Sequence, residues 1–315
     1  MKNRELGQSG LAIPPLMFGG NVLGWTLDEG QSFEMLDAWM DAGFTAIDTA
    51  DVYSGWVPGH QGGESETIIG RWFKARGNRD KVVLATKVGM EMGPGRKGLS
   101  KAWITKAVED SLRRLQTDYI DLYFSHADDP DVPLEESLEA YQQLIADGKV
   151  RAIGASNYSA GRLDAALQIA QEKGLPRYTV LQPSYNLYDR QDFEENLAAV
   201  CQRENLGVTP YFALASGFLT GKYRSKEDAA GRAREGMVAN YFTERGDRIL
   251  AALDSVSQAK NTTPAAVAIA WLMAQPAVTA PIVSATSMTQ LAALKDAVSL
   301  VLDDAELKEL NTASA

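Results

Sequence analysis

From residue 16 onward, short apolar runs alternate with longer amphipathic stretches. Eight runs have the character of buried strands: LMFGG from 16, TAID from 45, VVLATK from 82, DLYFSH from 121, RAIGAS from 151, TVLQPS from 179, GVTPY from 207 and TAPIVS from 279. Alternation of this kind is the signature of βα units repeated around a parallel sheet. Between the runs lie helices with readable ends. Asp28 to Ala42 is stopped by Gly43 and Pro133 to Asp147 by Gly148, since glycine takes up the left-handed turn that ends a helix. Ser100 can cap a helix over Lys101 to Leu115, and Thr263 followed by Pro264 starts another. Eight such units in 315 residues predict one α/β domain over 1–315, a (β/α)8 TIM barrel rather than a doubly wound sheet. The usual barrel is roughly 250 residues plus insertions.

Two segments fall outside this rhythm. Residues 1–15, with RELGQSGLAIPP, show turn chemistry between two short apolar pieces and predict a β-hairpin capping one end of the barrel, which end being unreadable from sequence. Residues 222–247 are rich in charge and glycine without clear periodicity, and predict a mobile flap.

Three of the strand patterns end in groups that can exchange or orient protons. Asp48 and Tyr53 follow TAID, Lys87 ends VVLATK and His126 ends DLYFSH. In a parallel barrel the carboxyl ends of all strands open onto one face, so these four side chains share it. A free tyrosine has a pKa near about 10 and is a poor acid or base at neutral pH. A neighbouring Lys87 ammonium is expected to lower it, with Asp48 keeping that ammonium charged and oriented. His126 then donates a hydrogen bond that fixes a substrate oxygen near Tyr53. The set suits protonation of a developing alkoxide and contains no nucleophile for acyl or phosphoryl transfer. Singly each residue has an ordinary structural reading, such as an N-cap for Asp48 or a solvated charge for Lys87; the conjunction points to chemistry.

Composition narrows the partners. With 31 basic and 41 acidic residues the net charge is −10, a field that repels nucleic-acid backbones and anionic membrane surfaces. The single Cys201 excludes an internal disulfide and reads as a small packed group on a helix, while His60 and His126 are too few for a histidine-rich metal cluster. No metal is expected, and His60 reads as a loop residue without a chemical role. The start MKNRELGQSG lacks the apolar core of a signal peptide, which predicts a cytoplasmic protein. The most apolar long window, Ala265 to Val283, is broken by Gln275, Pro276 and Pro281 and reads as helix, turn and strand rather than a membrane span.

The chain resembles the aldo-keto reductases over almost its whole length. The resemblance is carried in order by LGQSGLAIPPLMFGGN, FTAIDTADVYSGW, GESETIIGRWFK, LATKVG, SLRRLQTDYIDLYFSHADD, LIADGKVRAIGASNY, LQPSYNLYDR and PYFALASGFLTGKY. It implies an NAD(P)H-dependent oxidoreductase reducing an aldehyde or ketone, with Tyr53 as general acid, Lys87 and Asp48 tuning it and His126 orienting the carbonyl. It also implies a nicotinamide cofactor held without a GxGxxG fingerprint, and none follows a strand here. Ser156, Asn157 and Gln182 would hydrogen-bond the carboxamide and Tyr211 would stack on the nicotinamide. Leu214, Ser216, Gly217 and Leu219 would follow the pyrophosphate, with Asn21 near the ribose. Lys222 and Arg232, in the flap on the cofactor side, match phosphate-side cations of one branch and favour NADPH. Ser284, Thr286 and Gln290 stand where relatives often carry a cation, and Ala293 and Leu294 replace the Glu and Asn that clasp the adenine, so NADH stays open.

Trp25 and Trp56 follow strand ends on the same face and are candidates for an apolar or sugar-like substrate pocket. Two other function classes compete. Potassium-channel β subunits share the motif set, which would make this chain a regulatory subunit with retained cofactor and little turnover. A Schiff-base aldolase would use Lys87 as nucleophile, but a paired Asp48 keeps the lysine protonated. Substrate identity, preferred direction and oligomeric state are not legible.

Overall fold

A computed structural model describes residues 2–315. The hairpin is formed by β1 (Arg4–Glu5) and β2 (Ala12–Ile13), antiparallel, with Arg4 opposite Ile13. Eight further strands form a single parallel sheet. They are β3 (Met17–Gly19), β4 (Ala46–Asp48), β5 (Val83–Val88), β6 (Ile120–Ser125), β7 (Val150–Ser156), β8 (Val180–Gln182), β9 (Gly207–Val208) and β10 (Ile282–Val283).

Neighbours in sequence are neighbours in the sheet, and β10 returns to pair with β3, Ile282 opposite Met17. The last seam is closed by backbone bonds from the amides of Thr279 and Ile282 to the carbonyls of Val208 and Pro210, each 2.9 Å. The predicted (β/α)8 barrel is therefore the observed fold. Several strands are shorter than their apolar runs, because regular pairing covers only part of each run before the chain turns toward a helix.

Helix ends follow the caps written in the sequence. The first helix runs Glu29–Asp41, with the Asp28 side chain accepting from the Gln31 amide and Gln31 reciprocating, a capping box. The helix Lys101–Leu115 is capped by Ser100, and Pro264–Ala274 by Thr263 with proline at its first turn. Inside the barrel, Met17, Ala46, Ala85, Leu122, Val180 and Ile282 fill the lumen. Outside it the helices bury large apolar side chains, Trp39, Trp72 and Trp271 among them.

The hairpin plugs the amino-terminal end of the barrel. Leu6 and Ile13 join the lumen cluster, and the Arg4 guanidinium donates to the Thr279 carbonyl. Gly7, at φ +56, lies so close that a β-carbon there would come 2.3 Å from the Gly207 nitrogen. The opposite end is thus left open.

The segment 222–247, expected as a mobile flap, holds short regular elements. It contains the short helices Lys226–Ala229 and Glu235–Val238, a 3-10 turn Ala239–Tyr241 and the start of Glu244–Ala259. Its order is local: Ser225 and Asp228 form a capping box, Thr243 caps the long helix, and Tyr223, Ala229 and Val238 are buried anchors. Three anchors spread over sixteen positions are too sparse to register as periodicity.

Candidate active site

At the open end, β4 delivers Asp48 as its last residue, β5 delivers Lys87 one residue before its end, and His126 directly follows β6. Tyr53 lies in the turn after β4. Asp48 and Lys87 point inward between paired strands, Asp48 in register with Ala85 and Lys87 with Phe124.

The Lys87 ammonium, fully buried, donates to Asp48 Oδ2 at 2.6 Å, to the Thr49 carbonyl at 2.7 Å and to the Tyr53 hydroxyl at 3.1 Å. All three of its donors are used, so its position is determined. The His126 ring meets the Tyr53 ring edge-on at 5.9 Å. Its Nδ1 is buried with no partner among the described residues. The four sequence-predicted groups are thus brought together.

The electrostatics correct one expectation. Lys87 was expected to lower the Tyr53 pKa, yet the phenol is held above its ordinary range because burial outweighs the attraction of the ammonium. Tyr53 is therefore a neutral hydroxyl, a donor rather than a phenolate. Burial works to lower the Lys87 ammonium, but Asp48 and Tyr53 outweigh it and keep it above the usual lysine range. Burial raises the Asp48 carboxyl against the opposing effects of Lys87 and Gln182. Burial, reinforced by the Lys87 charge, drives His126 well below the usual histidine range, so its imidazole is neutral.

The residues expected to face a carboxamide are largely bonded to one another. Gln182 Nε2 donates to Asp48 Oδ1 at 2.9 Å, leaving Oε1 without a partner among the described residues. Ser156 Oγ donates to the Gln182 carbonyl at 2.9 Å, and Asn157 Nδ2 donates to the His126 carbonyl at 2.8 Å. The Tyr211 hydroxyl donates to Asn157 Oδ1 at 2.7 Å, which orients its half-buried ring.

Farther along this face the backbone at Ala215, Ser216 and Gly217 is left-handed at φ 46, 58 and 100. Left-handed backbone of this kind shapes concavities that suit anions. Lys222 lies against it, since a β-carbon on Gly217 would come 3.4 Å from Lys222 Nζ. The amides of Ala215, Gly217 and Leu219 in this stretch are bonded to the carbonyls of Phe212 and Leu214, at 2.7, 2.8 and 3.3 Å. Arg232 is exposed on the 222–247 segment.

Ser284 Oγ lies 2.7 Å from the Gly19 carbonyl and 2.9 Å from Asn21 Oδ1. Thr286 donates from its amide and hydroxyl to Gln290 Oε1 at 2.8 and 3.2 Å, forming a local tie at the start of Met288–Ser299. Trp25 meets Trp56 edge-on at 5.6 Å, and Trp56 meets the Tyr53 ring at 5.7 Å.

Sequence reasoning missed a second buried layer behind the tetrad. Glu66, fully buried, accepts from Thr86 Oγ1 and Arg114 Nε, each at 2.6 Å. Asp51, also fully buried, has no hydrogen-bond partner on either oxygen among the described residues, and burial, then the Glu66 charge, holds its carboxyl well above the ordinary range. The signal was present as an acid three residues after Asp48 within an apolar stretch. Two further contacts were not anticipated, the Gln182 bond to Asp48 and the approach of Arg234 to within 5.5 Å of the Trp25 ring.

The model of the Aldo/keto reductase family matches residues 15–315. Aldo-keto reductase YhdN of Bacillus subtilis (strain 168) is 34% identical over 300 residues, 93% of this chain and 86% of that protein. A norsolorinic acid reductase of Aspergillus flavus is 32% identical over 322 residues, 97% of this chain and 79% of that protein. A putative voltage-gated potassium channel subunit beta of Schizosaccharomyces pombe is 33% identical over 305 residues, 91% of this chain and 85% of that protein.

Proposed function

The chain belongs to the aldo/keto reductase family, and on that premise we propose that it is an NAD(P)H-dependent oxidoreductase reducing an aldehyde or ketone, with Tyr53 as the proton donor. The observation that carries this reading is the contact of the buried Lys87 ammonium with both Asp48 and the Tyr53 hydroxyl. A nicotinamide cofactor, when bound, supplies the hydride.

Tyr53 stays protonated at neutral pH and gives its proton to the carbonyl oxygen as negative charge develops there. Lys87 lies 3.1 Å from the resulting phenolate and stabilises it, while Asp48 keeps Lys87 charged and fixed. Neutral His126 can donate one N–H toward the same oxygen, which holds the carbonyl against Tyr53. Trp56, which contacts the Tyr53 ring, and Trp25 beyond it supply apolar surface beside the site.

Asn21, Ser156, Asn157, Gln182 and Tyr211 would serve the nicotinamide half of the cofactor, through Gln182 Oε1 and the face of the Tyr211 ring. Leu214, Ser216, Gly217 and Leu219 would follow its diphosphate. Among the residues considered for the 2′-phosphate, Lys222 and Arg232 carry charge, whereas Ser284 is turned inward and Thr286 and Gln290 bond each other. NADPH is the expected cofactor, with NADH also accepted. Retained cofactor with little turnover, the reading favoured by likeness to the channel subunit, is the competing outcome.

Tyr53→Phe decides between them. Turnover of a simple aldehyde with NADPH should fall by roughly 10² or more, while NADPH binding followed by tryptophan quenching stays near wild type. Equal activity in the variant would sink the mechanism, and a wild type that binds NADPH tightly yet reduces no aldehyde would favour the regulatory reading.

A further inference from the structure

Arg234 differs from Arg224 and Arg245, whose guanidinium groups are bonded, and from Arg232, which is exposed to solvent. Arg224, in the same segment, is bound to Asp254 by two bonds of 2.9 and 2.8 Å, and Arg245 donates to the carbonyls of Tyr188 and Ser314. The Arg234 guanidinium lies 5.5 Å from the centroid of the Trp25 ring, and the residue is half-buried. Among the described residues nothing accepts a hydrogen bond from it. A guanidinium partly withdrawn from water without an acceptor is costly, and stacking on an indole returns only part of that cost. The chain carries 41 acidic residues, yet none is placed there.

The position of Arg234 supplies a reason for the missing partner. Trp25 meets Trp56 at 5.6 Å, Trp56 meets Tyr53 at 5.7 Å, and Tyr53 meets His126 at 5.9 Å. Ring contacts thus link the guanidinium through Trp25 and Trp56 to the Tyr53 ring. A molecule lying along these rings with its carbonyl at Tyr53 directs its far end toward Arg234. We propose that Arg234 reads an anionic group, carboxylate or phosphate, at the far end of the carbonyl substrate. The preferred substrates are then aldehydes and ketones with an apolar body and a negatively charged tail. In a protein of net charge −10 such a tail is not attracted from a distance, so its selection rests on short-range, charge-assisted hydrogen bonds to this side chain.

The inference rests on the reductase reading, and its test separates the two. Steady-state rates with saturating NADPH are compared for 4′-formylbiphenyl-4-carboxylate, long enough to run along the rings, and its methyl ester, in the wild type, Arg234→Gln and Arg234→Lys. The wild type is expected to favour the carboxylate in kcat/KM by about tenfold or more, chiefly through KM. Arg234→Gln should bring that ratio close to one, and Arg234→Lys, which keeps the charge, should retain most of it. A ratio near one in the wild type, or the same ratio in wild type and Arg234→Gln, overturns the proposal. So does an equal loss of the ratio in both variants, which would trace to cleft packing. A raised KM for NADPH with an unchanged aldehyde ratio would also overturn it, assigning Arg234 to the cofactor's phosphates. If neither aldehyde turns over, the reductase reading fails on its own. Tryptophan quenching by benzoate in the NADPH-loaded protein then tests Arg234 directly, tenfold weaker binding in Arg234→Gln supporting the proposal and equal binding overturning it.

Discussion

Asp51 and Tyr53 sit two residues apart and show how burial sets the charge state of this site. For Tyr53, burial outweighs an ammonium 3.1 Å away and keeps the phenol protonated. For Asp51, burial and the Glu66 charge act in the same direction, and neither oxygen finds a donor among the described residues. Its carboxyl binds a proton in the folded state that it releases in the unfolded state once pH exceeds about 4. Stability contributed by that proton is present at low pH and is lost as pH rises from the unfolded toward the folded value. Asp51→Asn, isosteric and always neutral, removes the dependence. Thermal unfolding of wild type and variant from pH 4 to 8 should therefore diverge, the variant gaining with pH by at most about 1.4 kcal/mol per unit. A constant gap between the two curves would mean that Asp51 is ionised in the folded protein. The identity of the tetrad was legible because Asp48, Lys87 and His126 close apolar runs and Tyr53 follows the first of them closely. Its proton affinities were not, since desolvation depends on what encloses each group from every side.

Among the elements, the 222–247 segment holds short helices where the sequence shows no clear periodicity. Lys222 lies beside the left-handed turn at Ala215 to Gly217, Arg232 is exposed, and Arg234 reaches Trp25. The opposite wall offers little charge, because Ser284 is turned toward Gly19 and Asn21 while Thr286 and Gln290 satisfy each other. The segment is therefore the source of cations for the cofactor's phosphates under the proposed function. Lys222→Ala combined with Arg232→Ala should raise the Kd for NADPH by roughly tenfold and that for NADH by clearly less, since the 2′-phosphate contributes a charged contact. Parallel losses for the two nucleotides would remove both residues from a 2′-phosphate role. Helix boundaries elsewhere were read closely from sequence, as at Lys101–Leu115, because caps act over three or four residues. Here the order comes from a capping box and three scattered anchors, a pattern with no period to detect.

On the scale of the whole molecule the two ends of the barrel are divided between stability and chemistry. The hairpin closes the amino-terminal end, with Leu6 and Ile13 in the lumen and Gly7 pressed against Gly207. Gly7→Ala would place a β-carbon 2.3 Å from the Gly207 nitrogen on a backbone at φ +56, costing about 1–3 kcal/mol. Its melting temperature should fall by several degrees while kcat/KM stays within twofold of wild type; a large loss of activity would show that the plug also shapes the open face. By itself, the sequence determined the barrel, its helix limits and the four groups at the strand ends, because periodicity, caps and strand termini are properties of neighbouring residues. Only the tertiary structure decided which end the hairpin closes, that Gln182 grips Asp48, that Asp51 and Glu66 share a buried layer, and that Arg234 faces the Trp25 ring without a partner. Gln182 and Asp48 are 134 positions apart. Pairings at such separations arise from barrel closure and from the balance of desolvation and charge inside it, and no local pattern encodes either.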